Sequence, residues 1–117
     1  MNSTSINFSE FKNKKILITG GSTGIGAALA KAFAKQGAIV GLRYLSSVDA
    51  ANQVASEIRS EGGSVELIKA DASDSQALAV AVKEAAERLG GLNGLINNAG
   101  GMVRLSLIHI SEPTRPY

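Results

Sequence analysis

The sequence predicts an α/β fold, a doubly wound parallel sheet assembled as βαβαβαβ with strand order 3-2-1-4 and truncated after strand four. Three observations predict it. Short apolar runs alternate with segments of helical period, glycines close each helical segment, and a glycine-rich turn from Thr19 to Gly26 joins the first run to the first helix. Connections this short, with right-handed crossovers, lead to a parallel sheet covered by helices.

The elements follow in order. Lys15-Ile16-Leu17-Ile18-Thr19 is a continuous apolar run, the mark of a strand buried on both faces. Ile25, Leu29, Ala32 and Phe33 recur at helical spacing and predict the buried face of the first helix, which Gly37 is placed to end. Residues 38–44 read as the second strand. Ser46-Ser47 then starts a helix with Val54 and Ile58 inward, and Gly62-Gly63 closes it. Val65, Leu67 and Ile68 mark a third strand ending at Ala70-Asp71. Ser73 with Gln76 forms a capping box for a helix that turns Leu78, Ala81, Val82, Ala85 and Leu89 inward and stops at Gly90-Gly91. Residues 94–98 form the fourth strand, which runs into Ala99-Gly100-Gly101. Lys12, Lys14 and Lys15 read as solvated lysines ahead of the first strand.

The turn carries the chemistry. A strand, a glycine-rich turn and a helix start bring unpaired backbone N–H groups and the positive end of a helix dipole to one point, where an anion fits. Gly20 can take the positive φ of the turn, Gly24 lets backbone approach a pyrophosphate, and Gly26 permits close packing of helix on strand. In the order 3-2-1-4 the ligand crevice lies between strands one and four, so residues 20–26 and 98–100 can touch one ligand although they are far apart in sequence.

Composition narrows the field. A chain of 117 residues is one domain at most, and a formal net charge of +2 without a basic stripe argues against nucleic acid. With no cysteine, thiolate metal sites and disulfides are ruled out. No apolar run approaches the ~20 residues of a membrane helix, and the polar start Met1-Asn2-Ser3-Thr4-Ser5 is unlike a signal peptide. The expected location is cytoplasmic, with no membrane partner and no metal.

The residues from about Phe11 to Val103 resemble the short-chain dehydrogenase/reductase family. The likeness rests on the Thr-Gly-x-x-x-Gly-x-Gly spacing of Thr19 to Gly26, on Asp71-Ala72 after the third strand, and on Asn97-Asn98-Ala99-Gly100 after the fourth. It implies a Rossmann domain, here partial over residues 1–104, and a parent similar to 3-oxoacyl-carrier-protein reductases. Such a parent would be an NAD(P)-dependent carbonyl reductase or alcohol dehydrogenase acting on a small molecule, and a homo-oligomer. The resemblance implies a cofactor site of Gly20, Ser22, Thr23, Gly24, Ile25, Gly26, Arg43, Asp71, Ala72, Asn98, Ala99 and Gly100. In it Asp71 bonds the adenine amino group, Ala72 packs near the ring, and Asn98, Ala99 and Gly100 line the ribose. Asn97 is expected to tie strand four to its neighbours. A non-catalytic dinucleotide-binding regulator, or a non-functional assembly fragment, is the alternative.

The end of strand two decides between cofactors. An NAD site places an acid there for the ribose 2′-OH, but this stretch is Leu42-Arg43-Tyr44-Leu45-Ser46-Ser47 and the first acid is Asp49. Arg43 suits a 2′-phosphate, with Ser46 or Ser47 as further donors, which favours NADP over NAD. Against this, the glycine loop has Ser22 and Thr23 where NADP-using relatives often carry a basic residue.

The family's catalytic tyrosine, with a lysine four residues later, has no counterpart. Tyr44 is followed at that spacing by Val48, and the other tyrosine is Tyr117. No catalytic residue is assigned. Both prolines and the sole histidine fall after Arg104, and residues 105–115 resemble the translation of a transposase adapter used in sequencing libraries, with Pro116 fitting the next adapter base. Residues 105–117 are therefore expected to be a non-native tail that cannot complete the sheet, leaving an open edge on strand four and an aggregation-prone, inactive fragment.

Overall fold

A computed structural model describes residues 11–19, 24–44, 48–69, 75–99 and 102–110. The order is β1 (Lys15–Thr19), α1 (Gly24–Lys35), β2 (Ile39–Tyr44), α2 (Val48–Ser60), β3 (Ser64–Lys69), α3 (Ser75–Leu89), β4 (Leu92–Ala99) and β5 (Met102–Ile110). Among the described residues the strands form one sheet in the order β3-β2-β1-β4-β5. The first four are parallel, and their 3-2-1-4 order is the one the βαβ pattern predicts. The Ser73–Gln76 capping box and the Ser46-Ser47 helix start lie outside the residues whose side chains are described.

Two apolar layers sandwich the sheet because β1 and β2 send successive side chains to opposite faces. On one face Ile16, Ile18, Val40, Leu42 and Ile96 meet Ala30 and Ala34 of α1 and Ala51, Val54, Ala55 and Ile58 of α2. On the other, Leu17, Ile68 and Leu92 meet Ala81, Ala85, Ala86 and Leu89 of α3. Leu17 is fully buried, and such burial contributes about 1.5–3 kcal/mol.

The buried face of α1 differs from the sequence expectation. Gly26, Ala30 and Ala34 point inward, Leu29 and Phe33 are partly buried, and Ile25 and Ala32 are exposed. Residues four apart share a face, and a stripe of glycine and alanine lets the helix axis approach the sheet. The larger Leu29 and Phe33 then flank the contact, and Phe33 meets Phe11 edge-to-face with ring centroids 5.1 Å apart.

At Gly37 the helix ends in the left-handed region, φ +92, with Ala38 N–H donating to Phe33 C=O at 3.1 Å. That six-to-one bond satisfies a carbonyl the helix would otherwise orphan. The same bond pattern closes α2, from Gly63 to Ile58, and α3, from Gly91 to Ala86.

Lys15 is not simply solvated. Its Nζ donates to Gly90 C=O at 3.0 Å, a cation at the negative end of α3, and its backbone N–H donates to Asn93 Oδ1 at 2.9 Å.

Strand β5 corrects the expectation that the sheet stops at strand four. It pairs antiparallel with β4, Ala99 opposite Met102 and Ile96 opposite Leu105, and the two residues between Ala99 and Met102 are both glycine. Ile108 and Ile110 then pack, partly buried, on the α3-side core. The apolar gain comes from these residues of the segment expected to stay outside the sheet, and the free edge passes from β4 to β5.

Candidate functional site

The sheet topology brings the carboxyl ends of β1 and β4 together: Ile18 pairs with Ile96 and Thr19 with Asn97. Thr19, almost wholly buried, donates its hydroxyl to Asn97 Oδ1 at 2.8 Å. Asn97 thus ties β4 to β1. The threonine end of this tie carried no signal in the sequence beyond its place before the glycines. Replacing Thr19 by valine keeps the shape and removes the donor, and should cost about 1–3 kcal/mol. Thr19→Ser should cost clearly less, as urea unfolding of both variants will measure.

Directly above this junction α1 begins at Gly24, with φ +58 and no protein atom of the described residues within 4 Å of where a Cβ would stand. The first turn of α1 contains no acid. No carboxylate of that turn therefore competes for its N–H groups and the positive end of its dipole. Ile25, 56% exposed, stands in the same turn, while Gly26 is buried against the sheet. These features fit the phosphates of a dinucleotide.

Arg43 is the penultimate residue of β2, half-buried and in register with Ile68 of β3. Since Val40, Leu42 and Tyr44 line the α1 and α2 side, strand alternation puts Arg43 on the α3 side. The backbones of Asn98 and Ala99 end β4, opposite Val103 and Met102. Gly20, Ser22, Thr23, Asp71, Ala72 and Gly100 lie outside the described residues, as do Ser46 and Ser47.

A cleft of about 340 Å³ opens at the other end of the molecule, between the carboxyl ends of α1 and α2. Its charges are matched across the wall. Lys31 pairs with Glu57, and its hydrogen bond and charge hold the Glu57 carboxyl below the ordinary carboxylate range. It lies away from the Gly24 turn and adds nothing to it. Among the described residues no acid, histidine or cysteine cluster could hold a metal, and no helix is long and apolar enough to cross a membrane.

A parallel sheet in this order, with a glycine-opened helix start at the point where strand order reverses, defines a doubly wound, Rossmann-like α/β protein. The chain belongs to the short-chain dehydrogenase family, whose model matches residues 14–114. It is 44% identical over 98 residues to an uncharacterized oxidoreductase of Mycobacterium tuberculosis, covering 82% of this chain and 29% of that protein. Against a short-chain dehydrogenase/reductase from Serratia marcescens the TM-score is 0.72 at 46% identity, covering 77% of this chain and 37% of that one. A Burkholderia cenocepacia short-chain dehydrogenase in complex with NADP gives a TM-score of 0.67 at 42% identity, covering 73% and 35%. An NADH-dependent reductase complexed with NAD gives 0.73 at 38% identity, covering 81% and 39%. The chain spans about a third of the length of these relatives.

Proposed function

We propose that this chain is the cofactor-binding half of an NAD(P)-dependent oxidoreductase, a carbonyl reductase or alcohol dehydrogenase whose catalytic residues lie in the remainder of the parent protein. The observation that carries the reading is the acid-free, glycine-opened start of α1 at the β1–β4 junction. Gly20, Ser22, Thr23, Gly24, Ile25 and Gly26 hold the pyrophosphate side. Asp71 and Ala72 receive the adenine, and Asn98, Ala99 and Gly100 the ribose. When bound, the cofactor supplies or accepts a hydride. The protein's part in this half of the molecule is to hold and orient it, and by itself the chain is inactive.

NADP is the proposed cofactor, because Arg43 stands one residue before the end of β2, the region where an NAD site needs an acid. Relatives with either cofactor are similar to this chain, so the choice rests on that residue. Arg43→Glu should weaken NADP binding roughly 10- to 100-fold, the worth of a charge-assisted hydrogen bond, and leave NAD unchanged or improved. Ligand-observed NMR titration of the chain with each dinucleotide measures the ratio. If neither dinucleotide gives a signal with the wild-type chain, the cofactor reading falls.

Residues 105–117 are further proposed to be an adapter-derived tail, and residues 1–104 the partial cofactor domain. Sequencing the genomic locus past codon 104 tests both proposals. A Ser and a Tyr-x-x-x-Lys downstream support the enzyme, their loss favours a dinucleotide-binding regulator, and the same tail in native DNA overturns the adapter reading. The parent is proposed to be a cytoplasmic homo-oligomer with a small carbonyl or alcohol substrate and no nucleic-acid or membrane partner.

A further inference from the structure

Strand β3 stands at the end of the sheet among the described residues, and its sequence Ser-Val-Glu-Leu-Ile-Lys suits extended backbone. Such a strand with a bare row of backbone groups is a template for pairing. The outer row of β3 is not bare. Arg59 of α2 donates to Val65 C=O and Arg88 of α3 donates to Leu67 C=O, each at 3.0 Å. Carbonyls two residues apart in a strand point the same way, and the row that faces β2 is filled by its ladder, so these two acceptors belong to the outer row. The next outward residue, Lys69, carries a cation of its own.

The two arginines are placed alike. Each is the penultimate residue of its helix, Arg59 in Val48–Ser60 and Arg88 in Ser75–Leu89. A basic residue in a last turn ordinarily answers the helix dipole and can bond the helix's own final carbonyls. Here both heads reach across to strand carbonyls instead. Because α2 and α3 lie on opposite faces of the sheet, the edge is clasped from both sides. Glu66 and Glu84, 3.8 and 3.5 Å from the Arg88 guanidinium, bias its direction.

We infer that Arg59 and Arg88 form a two-sided guard that closes the β3 edge to a further strand, whether from a second copy or from another protein. A strand adding there has to place its own N–H groups on Val65 and Leu67 C=O. It would first displace two planar cations, exchanging charge-assisted hydrogen bonds for neutral ones. It would also cover the displaced guanidinium groups and take them from water, which is unfavourable without new partners. Both contacts lie within residues 59–88, so the guard is independent of β5 and of residues 105–117.

Quenched hydrogen exchange of the intact chain tests the inference, because it reads each amide in free and associated chains alike. In a strand the N–H and C=O of one residue point to the same side, so the Val65 and Leu67 amides report on the β3 edge and not on β5. In the wild-type chain their exchange should be fast and unchanged from micromolar to near-millimolar protein. R59M/R88M keeps long side chains and removes the donors. In it both amides should slow by roughly tenfold or more at the highest concentration, as a strand edge that gains partners does. K12M/K14M removes two charges from exposed lysines in the turn before β1 and should behave as the wild type. Both arginines are exposed, and matched far-UV circular dichroism will verify that the variants fold. The single variants R59M and R88M each free one carbonyl, should show the effect in smaller measure, and decide the matter if the double variant does not fold. Slowing with concentration in the wild type, no slowing in the double variant or in either single one, or equal slowing in K12M/K14M would each overturn the inference.

Discussion

Truncating Leu17 to alanine should destabilise the chain by about 2–5 kcal/mol, the range for a fully buried leucine that leaves a cavity. Leu17 sits on the central strand and belongs to the core that α3 covers, together with Ile68, Ala85, Leu89 and Leu92. Four of the seven buried members of that core are alanines or sit on the single helix α3, so few neighbours can move in to fill the space. Against a total stability of about 5–15 kcal/mol for a typical domain, such a loss is large. Leu107→Ala is the internal control, because that leucine is 80% exposed and should change stability by less than about 0.5 kcal/mol. Urea unfolding followed by circular dichroism at low protein concentration will separate the two. Equal midpoints for the two variants would mean that the α3-side core is not formed as described.

Gly24→Asp should separate binding from stability. Aspartate tolerates the left-handed backbone that Gly24 adopts at φ +58, and an acid at the positive end of a helix dipole is favourable. Among the described residues no atom lies within 4 Å of where its Cβ would stand. Folding should therefore be little changed. A carboxylate roughly 4–8 Å from a bound phosphate would repel it by about 2–4 kcal/mol at an effective dielectric constant near 20. Dinucleotide affinity should then fall by roughly 30- to 1,000-fold. Gly24→Asn, similar in shape and neutral, should lose far less. Competition NMR with NADP for the three proteins checks this, and equal losses for Asp and Asn would trace the effect to shape and remove the support it gives to a phosphate at α1.

The parallel part of the fold was legible because its signals are periodic. Strand β1 matches its apolar run residue for residue, and Val54 and Ile58 on α2 and Ala81, Ala85 and Leu89 on α3 face inward as their spacing predicts. The face of α1 was not legible from hydrophobicity, because Gly26, Ala30 and Ala34 win the inward position by being small, a property that hydropathy does not record. Ile25 looked like core and is exposed beside the candidate anion site, where the same residue has a different use. The β5 strand was missed for another reason. The likeness of residues 105–115 to a translated adapter says nothing of their conformation, and a strand forms wherever extended backbone finds a partner and a place to bury Ile108 and Ile110. At the site, the helix start and the end of β2 were readable from the glycines and Arg43. Asn97 was readable as a tie of β4 to its neighbours, but its partner Thr19, and the bond from Arg88 back to Leu67 C=O, depend on residues brought together only in three dimensions.

The central place of β1 has a consequence for synthesis on the ribosome. Its neighbour on one side, β2, follows at once, but its neighbour on the other is β4, with Ile16 pairing Gly94 some 78 residues later. At about 5–20 residues per second, roughly 4–16 seconds pass between the emergence of the two. Throughout that interval the most buried strand of the finished sheet has one side unpaired, and the crevice between β1 and β4 does not yet exist. Cofactor can therefore stabilise the folded chain only after translation has passed β4, and the earlier nascent chain has to be protected by other means.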